Sequence, residues 1–134
     1  MLQAYSLQQT LVDGATIPLN NTVIEKGVTA ILSAPASIEL NKAGIYMVHC
    51  DAIVTGTDAG DGTIQLTKNG LPLPYAKSTE TLVADEASAL DFESLVQVSQ
   101  NNTCCCLTGP TTLQFLYTGA AATGDVNVVV TKIC

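Results

Sequence analysis

The sequence predicts an all-β protein, a sandwich of two antiparallel sheets, and three observations carry that prediction. The first is the long alternation over Ile45–Thr55. There Tyr46, Val48, Cys50, Ala52 and Val54 share one parity, and Ile45, Met47, His49, Asp51 and Ile53 share the other. A period of two sends successive side chains to opposite faces of a strand. The second is Asn69-Gly70, set between apolar runs. Both residues tolerate positive φ, so this pair marks a tight turn. The third is the near absence of helix signals. Residues 80–90, ETLVADEASAL, have a helix-friendly composition but no clear cap and no apolar stripe, and they read as a loop or a single turn.

The elements follow in order. Residues 1–10 read as a short N-terminal arm or anchor. Ala15–Leu19 reads as a short strand whose Pro18 suits a sheet edge. Ala30–Leu32 and Ser37–Leu40 are short strands around Pro35. Ile45–Thr55 is the longest strand. Gly62–Lys68 follows, then Leu71–Lys77, interrupted by Pro72 and Pro74. Leu90–Ser99 places Leu90, Phe92, Ser94, Val96 and Val98 on one face. Thr111–Thr118 places Leu113, Phe115 and Tyr117 together. Residues 119–124 form a loop, and Val126–Ile133 closes the chain. Short strands at this spacing with turn signals between them indicate a sandwich or barrel. With 134 residues and no linker or repeat, the chain reads as one domain spanning 1–134.

Both faces of Ile45–Thr55 are largely apolar. A small sandwich covers one of them, and the other calls for a second copy of the chain. Composition agrees: hydrophobic residues make up 47% and charged residues only 13%, against a usual quarter or so of charged residues. The net charge of −7 with five basic residues argues against nucleic acid, whose phosphates need basic contacts, and against an anionic membrane surface. The start, MLQAYSLQQTLVDG, lacks the basic and apolar regions of a signal peptide. No stretch has the length of a membrane-spanning helix.

The order of motifs resembles the tumour necrosis factor and complement globular-head superfamily. Ser37–Leu40 followed by Gly44-Ile45-Tyr46 is similar to its I-x-L…G-x-Y entry into the long central strand. Thr63–Gly70, TIQLTKNG, is similar to its x-L-x-K-N-G strand and turn. Ser94–Val98 resembles the strand before its x-G-D turn, which Gln100-Asn101-Asn102 replaces here, and Val126–Ile133 resembles its closing strand. The resemblance covers roughly residues 10–133 and lacks the Gly-X-Y stalk of the complement proteins. It implies a jelly-roll sandwich that assembles as a homotrimer, with Ile45, Met47, His49, Asp51, Ile53, Phe115 and Tyr117 toward the threefold axis. Similar chains are structural proteins of tailed bacteriophages and prophages, as head fibres, capsid decorations or tail knobs, or caps of filaments on spore surfaces.

Several residues invite a chemical reading. Cys104-Cys105-Cys106, with Cys50 and Cys134, make an odd total of five. Three readings stand: free thiols filling space in a reducing cytosol, a disulfide between protomers or from Cys134 to the triplet, worth about 2–4 kcal/mol, or a metal site, although the spacing fits no zinc pattern. His49 is the sole histidine. It reads as a polar residue at a subunit contact, with a pH-responsive interface as the sharper alternative. Asp58-Ala59-Gly60-Asp61-Gly62 reads as a turn rather than a calcium loop, lacking the ligand spacing and bidentate Glu. Asp85/Glu86 and Asp91/Glu93 could be imagined as a glycosidase pair, but Asp91 and Glu93 fall on the solvent parity and no pocket tunes them.

No nucleophile–base pair, cofactor motif or metal motif emerges. The function expected is therefore non-enzymatic: a trimeric virion-surface protein, made in a bacterial cytoplasm and contacting other phage structural proteins. The alternative is a knob that grips a host-surface glycan or protein. Loops 56–62, 78–90 and 119–124 would then carry the affinity, but they lack the Trp and Tyr typical of anchors.

Overall fold

A computed structural model describes residues 1–26, 30–98 and 111–134. Among the described residues eleven strands run in chain order: β1 (Leu2–Leu11), β2 (Ala15–Thr16), β3 (Asn21–Glu25), β4 (Ala30–Ala34), β5 (Ser37–Leu40), β6 (Gly44–Gly56), β7 (Gly60–Lys68), β8 (Leu71–Leu82), β9 (Ala87–Val98), β10 (Thr111–Gly119) and β11 (Ala122–Lys132). The first sheet has the order β3-β1-β11-β6-β9 and the second β4-β5-β10-β7-β8, with β2 added alongside β10. All pairings within the two sheets are antiparallel. The chain crosses repeatedly from one sheet to the other, which gives the expected jelly roll.

The alternation at 45–55 makes β6 the spine of the first sheet. It pairs with β9 from Gly44↔Val98 to Thr55↔Ala87, and with β11 from Lys132↔Tyr46 to Ala122↔Gly56. Its even-numbered side chains, Tyr46, Val48, Cys50, Ala52 and Val54, are buried. They meet Ile64, Leu66, Leu113, Phe115 and Tyr117 of the second sheet in one core. Phe92 of β9 and Phe115 of β10 pack across the two sheets, their ring centroids 6.1 Å apart in a tilted arrangement, within the favoured range for an aromatic pair. Each full side chain of this kind contributes roughly 1.5–3 kcal/mol by leaving water.

Two buried tyrosines secure the ends of the core. Tyr46 donates its hydroxyl to the Lys42 carbonyl at 2.6 Å, and Tyr117 donates to the Ala120 carbonyl at the β10–β11 corner. Burial raises both phenols above their ordinary value. Tyr46→Phe keeps the ring and removes the donor. It is expected to cost about 1 kcal/mol, read as a lower urea midpoint with an unchanged slope.

The structure departs from the sequence reading at several elements. Residues 2–11 are no free arm: β1 lies inside the first sheet between β3 and β11, with Leu2, Ala4 and Ser6 buried. A bulge between Ser6 and Gln9, with Gln8 at φ +52°, breaks the alternation that would have revealed it. β3 was not anticipated, because its side chains are almost all exposed. The segment 80–90 extends β8 and starts β9 around a turn at residues 83–86. The loop expected at 119–124 shrinks to the Gly119–Ala121 corner. Asn69-Gly70 forms the β7–β8 turn as expected, with φ of +51° and +83°.

Charge is unevenly spread along the strands. Lys26, Lys42, Lys68 and Lys132 gather at the end that holds the Asn69-Gly70 turn, Lys68 donating to the Gln97 carbonyl. Asp13, Asp58, Asp61, Asp85 and Glu86 lie at the opposite end, among the β6–β7, β8–β9 and β10–β11 connections.

Candidate functional site

The candidate site is the outer face of the first sheet, the side of β6 turned away from the core. Ile45, Met47 and His49 are half-buried there, and Asp51 and Ile53 are exposed. Strand register supplies their neighbours on β9: Met47 faces Leu95, His49 faces Glu93, and Asp51 faces Asp91. From β1 and β3 come Tyr5, Leu7 and Val23, which with Ile53 line a shallow groove of about 630 Å³. Leu7 and Ile53 are each 62% exposed, and Val23 and Leu95 each 55%. These apolar side chains form one exposed patch on a single sheet face.

The polar part of the face centres on His49. Its Nε2 lies 2.9 Å from Asp51 Oδ2 and its Nδ1 lies 3.2 Å from Glu93 Oε2. The bond with Asp51 is the largest influence and raises the imidazole above its ordinary value; burial opposes it, and the bond with Glu93 adds to the rise. Asp91 accepts a bond from the Ala52 backbone N–H at 3.2 Å, and Asp125 accepts one from the Gln8 N–H at 2.8 Å. The four carboxylates Asp51, Asp91, Glu93 and Asp125 thus share one face with a single imidazole.

Of the residues expected at a shared face, β6 brings Ile45, Met47, His49, Asp51 and Ile53 together. Phe115 and Tyr117 belong elsewhere. They sit on β10 of the second sheet, 1% and 0% exposed, with their side chains inside the sandwich. Parity placed them on one face of their strand, but that face is the core. Tyr5, Leu7 and Val23 were missed because β1 and β3 carry no clean alternation, and Leu95 because only the β6–β9 register sets it beside Met47. Glu93 was noticed only as an acid, and the β6–β9 register is what sets it against His49.

Cys104, Cys105, Cys106 and the Gln100-Asn101-Asn102 turn lie outside the described residues. Cys50 is buried and Cys134 exposed, both as free thiols, and burial pushes the Cys50 thiol well up. Asp58 sits in the β6–β7 turn, whereas Asp61 lies on β7 and accepts a bond from Thr81 at 3.0 Å. Asp85 and Glu86 occupy the β8–β9 turn, and Asp91 and Glu93 face outward from β9.

No protein-family model and no curated protein sequence matches the chain. Solved structures do. The globular domain of a zebrafish complement 1qA protein aligns over 96% of this chain and 94% of its own, with 7% identity and a TM-score of 0.67. The Eiger TNF of S. frugiperda aligns over 99% and 92%, with 9% identity and a TM-score of 0.67. Vertex protein P5 of phage PRD1 aligns over 99% and 96%, with 15% identity and a TM-score of 0.56. Across nearly the whole chain, the architecture is that of the tumour necrosis factor and C1q globular jelly rolls, a fold shared with a phage vertex protein.

Proposed function

We propose that the chain is a non-enzymatic structural protein of a tailed-bacteriophage virion, a homotrimer that decorates the capsid or forms a head fibre. The observation that carries this reading is the apolar outer face of the first sheet, where Ile53, Leu95, Leu7 and Val23 are exposed and Met47 is half-buried. Covering such a face with identical copies around a threefold axis gives heterologous contacts that close into a ring. Likeness to a phage vertex protein supports the particle setting, and the low share of charged residues supports burial between copies. A knob that grips a host glycan or protein is favoured by one feature: Leu71 and Tyr75, 71% and 64% exposed on β8. Glycan-array binding by the purified protein would favour that second role.

Met47→Asp tests the shared face. The unaltered chain should sediment near three times its 13.9 kDa, and the variant as a single copy with unchanged β-sheet circular dichroism. A variant that stays trimeric shows that the copies meet elsewhere.

A further inference from the structure

The His49 cluster goes beyond simple contact, and the inference drawn from it rests on the shared-face reading above. Both ring nitrogens point at carboxylates, Nε2 at Asp51 and Nδ1 at Glu93, at 2.9 and 3.2 Å. A neutral imidazole has one N–H and one lone pair. It can serve only one of these partners, and its bare nitrogen then faces an oxygen that has no proton to give. Only the imidazolium donates to both, so taking up a proton completes the hydrogen bonds of this cluster.

Among the described residues no other cation faces this cluster. On β6 itself the titratable neighbour is Asp51. From β9 come Asp91, directly opposite Asp51, and Glu93, directly opposite His49. From β11, on the other side, His49 is paired with Val129, and the nearest charged group along that strand's outer face is Asp125, paired with Ile53. Lys26, Lys42, Lys68 and Lys132 lie at one end of the sandwich, and Lys77 lies on β8 of the other sheet. Like charges directly opposite one another destabilise a sheet pair, and that repulsion grows when water is replaced by protein. Water screens this cluster in a lone protomer, where the His49 side chain is 36% exposed. Covering the face removes the screening and leaves the imidazolium as the neutralising group.

We infer that assembly through this face takes up a proton at each His49, so that the complex tightens as pH falls and loosens as pH rises. The sign follows from linkage. A group held more strongly in its protonated form by the assembled state stabilises that state at low pH, and the stabilisation fades as the ring loses its proton. One proton taken up per protomer makes the trimerisation constant fall by up to about a thousandfold per pH unit within the titration range, tenfold for each of three rings.

The test is sedimentation equilibrium of the full chain under reductant between pH 6 and pH 9, for the unaltered protein and for His49→Gln. Gln keeps a hydrogen-bonding side chain but cannot take the charge. The expected result is a steep loss of trimer with rising pH in the unaltered chain and a flat profile in the variant. A trimer indifferent to pH, or a variant with the same slope, overturns the inference and leaves the shared face standing. A chain that is a single copy at every pH overturns both.

Discussion

Gly119→Ala is expected to cost about 4 kcal/mol, which is exceptional for a single methyl group. Gly119 turns the corner between β10 and β11 at φ +115°, a conformation that L side chains rarely adopt. Space forbids it as well. An added Cβ would overlap the carbonyl oxygen of Asp61 and crowd the Cα of Gly62, its partner across the β7–β10 ladder. Those are backbone atoms of a paired strand, so neither can swing aside. The same corner holds the Gly119 N–H to Asp13 Oδ1 at 2.9 Å, the Ala120 N–H to the Asp61 carbonyl at 3.0 Å, and the Tyr117 hydroxyl to Ala120. Moving the backbone therefore disturbs all three bonds. Thermal unfolding should show a midpoint lower by roughly 15 °C. Gly70→Ala is the control: Gly70 also has positive φ, at +83°, but nothing lies within 4 Å of its added Cβ. It should lose only the conformational cost, about 1 kcal/mol. Equal losses at the two positions would show that contact with Asp61 is not the cause.

Phe115→Ala is expected to cost about 3–5 kcal/mol, the usual range for emptying a buried aromatic site. The ring is 1% exposed and touches Phe92 from the opposite sheet. Its removal opens a void between two sheets, each stiffened by its own hydrogen-bond ladders, which limits collapse into the space. Denaturant unfolding would register this as a lower midpoint. Ile53→Ala, at a site 62% exposed, should leave the stability of a single copy within about 0.5 kcal/mol. A chain in which Phe115→Ala proved harmless would not have β10 facing the core.

These contrasts show what the sequence could disclose. The β6 alternation and the Asn69-Gly70 turn were legible because each follows from local chemistry: a two-residue period and tolerance of positive φ. They place Ile45, Met47, His49, Asp51 and Ile53 together on one face of the strand. Local chemistry could not say what lies opposite a face. Phe115 and Tyr117 alternate as cleanly as Met47 and Ile53, yet they meet the other sheet, and only the strand order separates the two cases. β1 stayed hidden because its bulge at Ser6–Gln9 shifts the parity midway, and β3 because Asn21, Thr22 and Val23 are solvent-facing. The salt-bridged partner of His49 depends on which residue of β9 lies across from it, a long-range register that spacing within one strand cannot contain.

Four lysines outweigh Glu25 and Glu39 at one end and five acids gather at the other, which gives each protomer an electric dipole along its strands. Rotation about a common axis preserves whatever lies parallel to that axis and cancels whatever lies across it. In a ring of copies the axial parts therefore sum, and the assembly becomes a polar object with two unlike poles. Against the overall repulsion of −7 per copy, the field of a negatively charged surface would still turn the lysine pole toward it and the acids away. That orienting torque would fade once added salt shrinks the screening length below about 8 Å.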